Sequence, residues 1–239
     1  MKEKKPRLLV ILGPTASGKS RLAMEIAGAL GGEIVSSDSL QVYKHLDIGT
    51  AKPSLEERAA VPHHLIDILD PDHDFNAGTF REEASRVIES LAAGGKNIFL
   101  AGGTYLYVKA LLSGLIEDLP ADRTIRTRLR KERAEHGTAP LYERLLSIDP
   151  ESASRIHPND YVRTERALEV HELTGQKMSL FLSLHEFAVR DYDYLKIGIH
   201  VEREELRGRI DARVEGMMSA GFVDEVRSLR NMGYGPWLK

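Results

Sequence analysis

Residues 13–20 read Gly13-Pro14-Thr15-Ala16-Ser17-Gly18-Lys19-Ser20 and fit the pattern G-x-x-x-x-G-K-[ST]. Loops of this type bind phosphate. Successive backbone N–H groups and the positive end of the following helix cradle a diphosphate, the lysine neutralises its charge, and the serine hydroxyl holds Mg²⁺. Lys19 and Ser20 take the last two roles here, and nucleotide binding, of ATP for instance, is one use of such a loop. An NTPase normally adds an acid at the end of a second buried strand to hold the metal's shell. The best apolar candidate, Asn97 to Ala101, instead runs into Gly102-Gly103-Thr104. Acids follow two other apolar stretches: Asp38 comes after Ile34-Val35-Ser36-Ser37, and Asp67 after Leu65-Ile66. In a doubly wound sheet the carboxyl ends of strands line the ligand crevice, which places Asp38 to act as a general base or metal ligand. The same residue type also serves as a turn or helix-cap aspartate. His63-His64 is a poor metal pair, because neighbours on a strand face opposite ways and no third ligand stands at helical spacing.

These groups need elements to hold them. The run Leu8 to Leu12 predicts a buried strand, followed by the loop and by a helix carrying Leu22, Ile26, Ala29 and Leu30, closed by Gly31-Gly32. Glu33 to Ser36 and Asn97 to Ala101 read as two further strands, with an amphipathic helix over Phe80, Ala84, Val87, Ile88 and Leu91 between them. Alternation of this kind predicts an α/β fold with a parallel sheet. Past Leu119-Pro120 the strand pattern vanishes, and Arg, Glu and Leu dominate between breaks at Gly137, Pro140, Pro150, Pro158 and Gly175. It returns at Tyr194 to Val201, followed by helices holding Leu206, Ile210, Val214 and Met217, then Phe222, Val226 and Leu229. The expectation is a P-loop parallel-sheet core over residues 1–117 and 194–239, with an inserted all-helical domain at 118–193.

Composition narrows the chemistry. The absence of cysteine among 239 residues excludes disulfides, thiolate metal sites and cysteine nucleophiles. With 33 basic against 36 acidic residues, the net charge of -3 carries no global signature of nucleic-acid binding. One window departs from that balance: Arg123, Arg126, Arg128, Arg130, Lys131 and Arg133 stand against Glu132 alone, either as an RNA contact or as a solvated helix face. The longest aliphatic run falls far short of the roughly 20 residues that span a bilayer. The basic start, Lys2 to Arg7, leads into no uninterrupted apolar segment of a secretory signal. A cytoplasmic protein without membrane contact is expected.

In chain order, the segments Gly13–Ser20, Asp38-Ser39-Leu40-Gln41-Val42-Tyr43, Ile48-Gly49-Thr50-Ala51-Lys52-Pro53, His63-His64-Leu65-Ile66-Asp67 and Gly102-Gly103-Thr104 stand out. Arg155-Ile156-His157-Pro158-Asn159-Asp160 follows, with Arg163, Arg166 and Ala167-Leu168-Glu169. Together they resemble the tRNA dimethylallyltransferase (isopentenyltransferase) family over residues 8 to about 238. The resemblance implies an enzyme that moves a dimethylallyl group from dimethylallyl diphosphate to N6 of adenosine 37 in tRNA, with Mg²⁺ as cofactor; a monomer is expected. It also makes sense of the missing acid, since the bond broken is carbon to oxygen and pyrophosphate is the leaving group. Gly13, Pro14, Thr15, Ala16, Ser17, Gly18, Lys19 and Ser20 would then bind the diphosphate, and Asp38 and Thr104 would be catalytic. A helix N-cap is the alternative role for Thr104. By the same resemblance the tRNA anticodon stem-loop meets Asp38, Ser39, Leu40, Gln41, Thr104, Arg126, Val162, Arg163, Thr164, Glu165 and Arg166, and the helical insertion helps clasp it. For Arg163 and Arg166, ion pairs with Glu165 and Glu169 are the alternative. Two departures stand out: Tyr105 stands where many members have glycine, a change that by the resemblance would narrow the prenyl pocket, and the family usually continues for several tens of residues past the position of Lys239. A P-loop small-molecule kinase and an adenylate isopentenyltransferase are the competing readings.

Overall fold

In the computed structural model, which describes residues 5–116, 119, 121–185 and 191–235, the first apolar run forms strand β1 (Arg7–Leu12). Leu8, Val10 and Ile11 are buried on both faces of the sheet, as an interior parallel strand requires. The chain continues through α1 (Lys19–Ala29), β2 (Gly32–Ser36), α2 (Leu55–Ala60), β3 (His63–His64), α3 (Ala77–Ala93), β4 (Asn97–Ala101) and α4 (Tyr105–Ser113). After the helical insertion, β5 (Asp193–Gly198) pairs with β1, and the sheet has the order β3-β2-β4-β1-β5 with every pair parallel. All five strands therefore end on one edge, and the loops after β1, β2 and β4 gather there.

Alternation along the strands builds two cores. Leu8, Val10, Val35, Ile98 and Leu100 pack on one face against Phe80, Ile88, Tyr107 and Leu111 of α3 and α4. Ile11, Ile34, Phe99 and Ala101 face the other way, onto Ala23 and Ala27 of α1. The short α2 escapes the periodicity argument because it buries nothing, yet Ser54 and Glu57 close a reciprocal capping box at its start.

The chain divides into one unit of residues 1–114 with 189–239 and another of 115–188. The second holds α5 (Arg123–His136), α6 (Ala139–Ile148), α7 (Pro150–Arg155), α8 (Tyr161–Thr174) and α9 (Met178–Leu184) around Leu129, Leu141, Leu145, Ala153 and Leu168. Its breaks have local causes: Gly137 and Gly175 close helices at positive φ, Pro140 and Pro150 open them, and Asp122, Asp149 and Asp160 cap them. Tyr192 is buried in the sheet core and donates to Ser85 Oγ at 2.8 Å, which ties the segment before β5 to the first unit.

The chain then forms α10 (Arg203–Ser219) and α11 (Phe222–Asn231). Here sequence and structure part. The stripe Leu206, Ile210, Val214 and Met217 predicts a buried face, but α10 buries none of its residues among those described. β5 ends at Gly198 rather than Val201, and Leu195 on this edge strand is exposed.

Candidate active site

The phosphate loop leaves β1 and turns into α1 at Gly18, whose φ of +89° lies in the left-handed region that favours glycine. Lys19 opens the helix with its side chain folded back, Nζ donating to the Pro14 carbonyl at 3.2 Å. Burial pulls this ammonium below its ordinary value; the nearby Asp38 carboxylate opposes that pull, and the Arg213 guanidinium adds to it. An incoming polyanion would relieve the cost of keeping Lys19 charged there. The Ser17 hydroxyl is buried without a hydrogen-bond partner among the described residues, and Ser20 is exposed at the cavity wall.

Beside the loop, the segments after β2 and β4 are laced together. Ser37 N donates to the Ala101 carbonyl at 2.9 Å, Thr104 N to the Ser37 carbonyl at 3.0 Å, and Ser39 N to Thr104 Oγ1 at 2.9 Å. Such closeness requires a glycine at 102, where a Cβ would sit 2.4 Å from the carbonyl carbon and oxygen of Ser37. Thr104 occupies the N-cap position of α4, but its hydroxyl makes no capping bond and instead accepts from Ser39. Asp38 is a turn aspartate and more: Oδ1 accepts from Leu40 N at 2.9 Å and Gln41 N at 3.4 Å, while Oδ2 has no partner among the described residues. One oxygen thus fixes the loop, and the residue stands in the wall of the adjoining cavity. Gln41 is committed locally, accepting from Ser36 Oγ at 3.0 Å and donating to the carbonyls of Thr50 at 3.2 Å and Ala51 at 3.4 Å.

These segments enclose a cavity of ≈ 630 Å³ whose walls include Lys19, Ser20, Asp38, Gly103, Arg209 and Arg213. Arg209 and Arg213 escaped the sequence reading. They stand four apart on α10, which shows no buried face, and lie some 190 residues from the loop they face; Arg209 Nη1 donates to the Ser17 carbonyl at 3.3 Å. Asp67, the second acid at a strand end, is instead held by Lys52 at 2.5 Å and Arg58 at 2.6 Å. His64 Nε2 meets Glu33 at 2.8 Å, and His63 Nδ1 meets the Val61 carbonyl at 2.7 Å.

In the second unit the basic window is laced to acids downstream. Arg126 forks onto Glu169 through Nε at 2.8 Å and Nη2 at 3.1 Å, Arg130 meets Glu165 at 3.2 Å, and Arg128 pairs with Glu172. The Glu169 side chain is fully buried and also accepts from Arg166 Nη1 at 2.6 Å and Asp122 N at 2.8 Å. Burial pushes its carboxyl up, but the bonds from Arg126, Arg166 and the Asp122 amide overcome that and hold it below its usual range. Arg163 pairs with Asp160 at 2.8 Å rather than with Glu165, and Val162 is exposed, while Thr164 and Glu165 are buried. Arg133 lies over the Tyr161 ring, 3.6 Å from its centroid.

A parallel sheet with a phosphate loop, and with an aspartate and two arginines in the walls of the adjoining cavity, defines a phosphate-loop α/β protein. Comparison with known proteins narrows the class. A family model described as IPP transferase matches residues 41–238. The tRNA dimethylallyltransferase of Geobacter sulfurreducens is 52% identical over 235 residues, covering 98% of this chain and 76% of that protein. The tRNA dimethylallyltransferase of Geobacter metallireducens is 51% identical, covering 99% and 77%. Among solved structures, the tRNA delta(2)-isopentenylpyrophosphate transferase of Staphylococcus epidermidis is 41% identical with a TM-score of 0.65, covering 97% of this chain and 76% of that one. A eukaryotic dimethylallyltransferase acting on tRNA is 31% identical with a TM-score of 0.76, covering 95% and 56%. The chain belongs to the IPP transferase family.

Proposed function

We propose that this protein is a tRNA dimethylallyltransferase that transfers the dimethylallyl group of dimethylallyl diphosphate to N6 of an adenine in the tRNA anticodon loop, at adenosine 37. The observation that carries this reading is Asp38 beside the phosphate loop with one carboxylate oxygen tied to the backbone and the other unpartnered. The loop amides, Lys19, Arg209 and Arg213 bind the diphosphate, and Thr104 holds the Asp38 loop in place through Ser39. The N6–C1 bond forms as the C1–O bond breaks, pyrophosphate leaves into the cationic pocket, and the N6 proton passes to Asp38 Oδ2. The adenine must leave its stack to reach that oxygen.

The residues suit Mg²⁺. Among the described residues no three acids or histidines cluster as an all-protein metal site, but the Ser20 hydroxyl beside the phosphate loop is a hard oxygen donor. That pattern fits an ion held mainly by substrate phosphates and water, neutralising charge on the leaving pyrophosphate. Arg126, Val162, Arg163 and Arg166 form the proposed tRNA contact surface of the helical unit, while Thr164 and Glu165, buried on the same helix, support it. The reading extends to a monomer working in the cytoplasm; no described helix is long and apolar enough to cross a membrane.

The test pairs donors with acceptors: labelled dimethylallyl diphosphate or γ-labelled ATP, each with Mg²⁺, with and without unmodified tRNA. Label is expected to enter tRNA from the prenyl donor alone. Phosphate transfer from ATP without prenylation would return the site to the kinase reading.

A further inference from the structure

The segment Asp47 to Pro53 contributes the walls of the cavity through Thr50, Ala51, Lys52 and Pro53, yet no chemistry falls to its first residues. Those residues do something specific. The successive amides of Asp47, Ile48 and Gly49 converge on the carboxylate of Glu225, at 2.7 and 2.7 Å to Oε2 and 3.0 Å to Oε1. Consecutive N–H groups aimed at one point form an anion-binding nest, and here a side chain of α11 fills it. Gly49 also receives the Phe222 ring: a Cβ there would lie 2.5 Å from Phe222 Cε2.

The nest is stiff. The Lys52 side chain, 1% exposed, donates to the Tyr43 carbonyl at 2.5 Å, Asp47 Oδ1 at 2.8 Å and Asp67 Oδ1 at 2.5 Å. Thr50 Oγ1 donates to the Leu46 carbonyl at 2.5 Å. α10, by contrast, buries none of its residues among those described, so its apolar stripe supplies no buried anchor there. It is joined to α11 through Ala220 and Gly221, the latter at φ +97°. Its Arg209 reaches the phosphate loop by a 3.3 Å bond to Ser17 from a side chain that is 43% exposed. A contact that long and wet does not by itself hold a helix.

We infer that Glu225 is a positioning residue, which anchors the α10–α11 hairpin to the Asp47-Ile48-Gly49 nest and so holds Arg209 and Arg213 over the diphosphate. The inference rests on the diphosphate reading of the cavity given above. Its chemistry is simple: a carboxylate accepting three amide hydrogens is a directional clamp, whereas the isosteric amide of glutamine keeps one acceptor oxygen and turns an NH₂ against the donors.

The probe is inorganic pyrophosphate with Mg²⁺, titrated calorimetrically into four proteins: the unchanged chain, Glu225→Gln, Arg209→Ala with Arg213→Ala, and all three changes together. Glu225→Gln is expected to weaken pyrophosphate by roughly tenfold, the scale of one weakened charge-assisted hydrogen bond. The KM for dimethylallyl diphosphate should rise in parallel. In the protein already lacking both arginines, the same change should cost nothing further, because Glu225 acts through them. Equal weakening in both backgrounds, or unchanged affinity in Glu225→Gln, overturns the inference. No pyrophosphate binding by the unchanged chain would instead overturn the diphosphate reading itself. Should Glu225→Gln melt below the assay temperature, Phe222→Leu loosens the same anchor from its packed side and allows the same comparison.

Discussion

Replacing Asp38 with asparagine separates the two tasks of one side chain. Oδ1 accepts from Leu40 N and Gln41 N, and an asparagine oxygen can keep both bonds, so the turn that shapes the loop survives. What changes is Oδ2, the oxygen with no partner, which becomes an NH₂ that accepts no proton. Removing a general base of this kind lowers kcat by on the order of 10² to 10⁴, equivalent to about 2.7–5.5 kcal/mol of transition-state stabilisation. Donor binding should change little, because in the proposed site the diphosphate is held by the loop, Lys19 and the arginines. Asp38→Ala should do worse in a second way, losing turn bonds whose removal costs about 0.5–2 kcal/mol at comparable caps. The assay is single-turnover transfer of labelled dimethylallyl group to tRNA, alongside filter binding of tRNA. A rate within threefold of the unchanged protein, or normal turnover with lost tRNA binding, would refute Asp38 as the base.

Three further outcomes follow from particular contacts. Gly102→Ala places a methyl 2.4 Å from the Ser37 carbonyl and pushes the β2 and β4 loops apart; the expected cost is about 1–3 kcal/mol in melting and about 10²-fold in kcat, and near-normal activity would contradict the loop pairing. The Glu169 carboxyl, held below its usual value, contributes stability that is complete above its unfolded pKa and lost as pH falls through the lower folded value. Thermal melts from about pH 6 down to about pH 3 should therefore show an acid-labile component that shrinks in Glu169→Gln, and identical profiles would dismiss the cluster. Arg126→Ala removes two bonds to a buried carboxylate, destabilising the helical unit by roughly 2 kcal/mol, less than a fully buried pair because Arg126 is 37% exposed and Arg166 remains. If Arg126 also neutralises a tRNA phosphate, the log–log salt slope of tRNA binding should flatten by about 0.7–0.9, and an unchanged slope would assign it to folding alone.

The phosphate loop was legible because its chemistry depends on backbone shape, and backbone shape dictates glycine and lysine at fixed spacing. Asp38 and Thr104 were legible as residues at strand ends, but not their joint use of Ser39, which depends on how closely β2 and β4 approach at Gly102. The excess of positive charge from Arg123 to Arg133 was misleading as a free surface. A window sum cannot see Glu165, Glu169 and Glu172 packed across from it on α8, 35 to 44 positions downstream. Arg209, Arg213 and Glu225 were invisible for a related reason. They sit on helices whose apolar stripes say nothing of what the polar faces meet, and the contacts that tie Arg209 and Glu225 to the site run to residues 176 or more positions away.

The central claim is that this cavity performs prenyl transfer to N6 of a tRNA adenine. It is tested most directly by digesting tRNA after incubation with the protein, Mg²⁺ and dimethylallyl diphosphate, then identifying the nucleosides by mass spectrometry. The account predicts one N6-isopentenyladenosine per modified tRNA, located at position 37 and lost in Asp38→Asn. Unmodified tRNA, or the same product formed on free AMP while tRNA stays untouched, would contradict it.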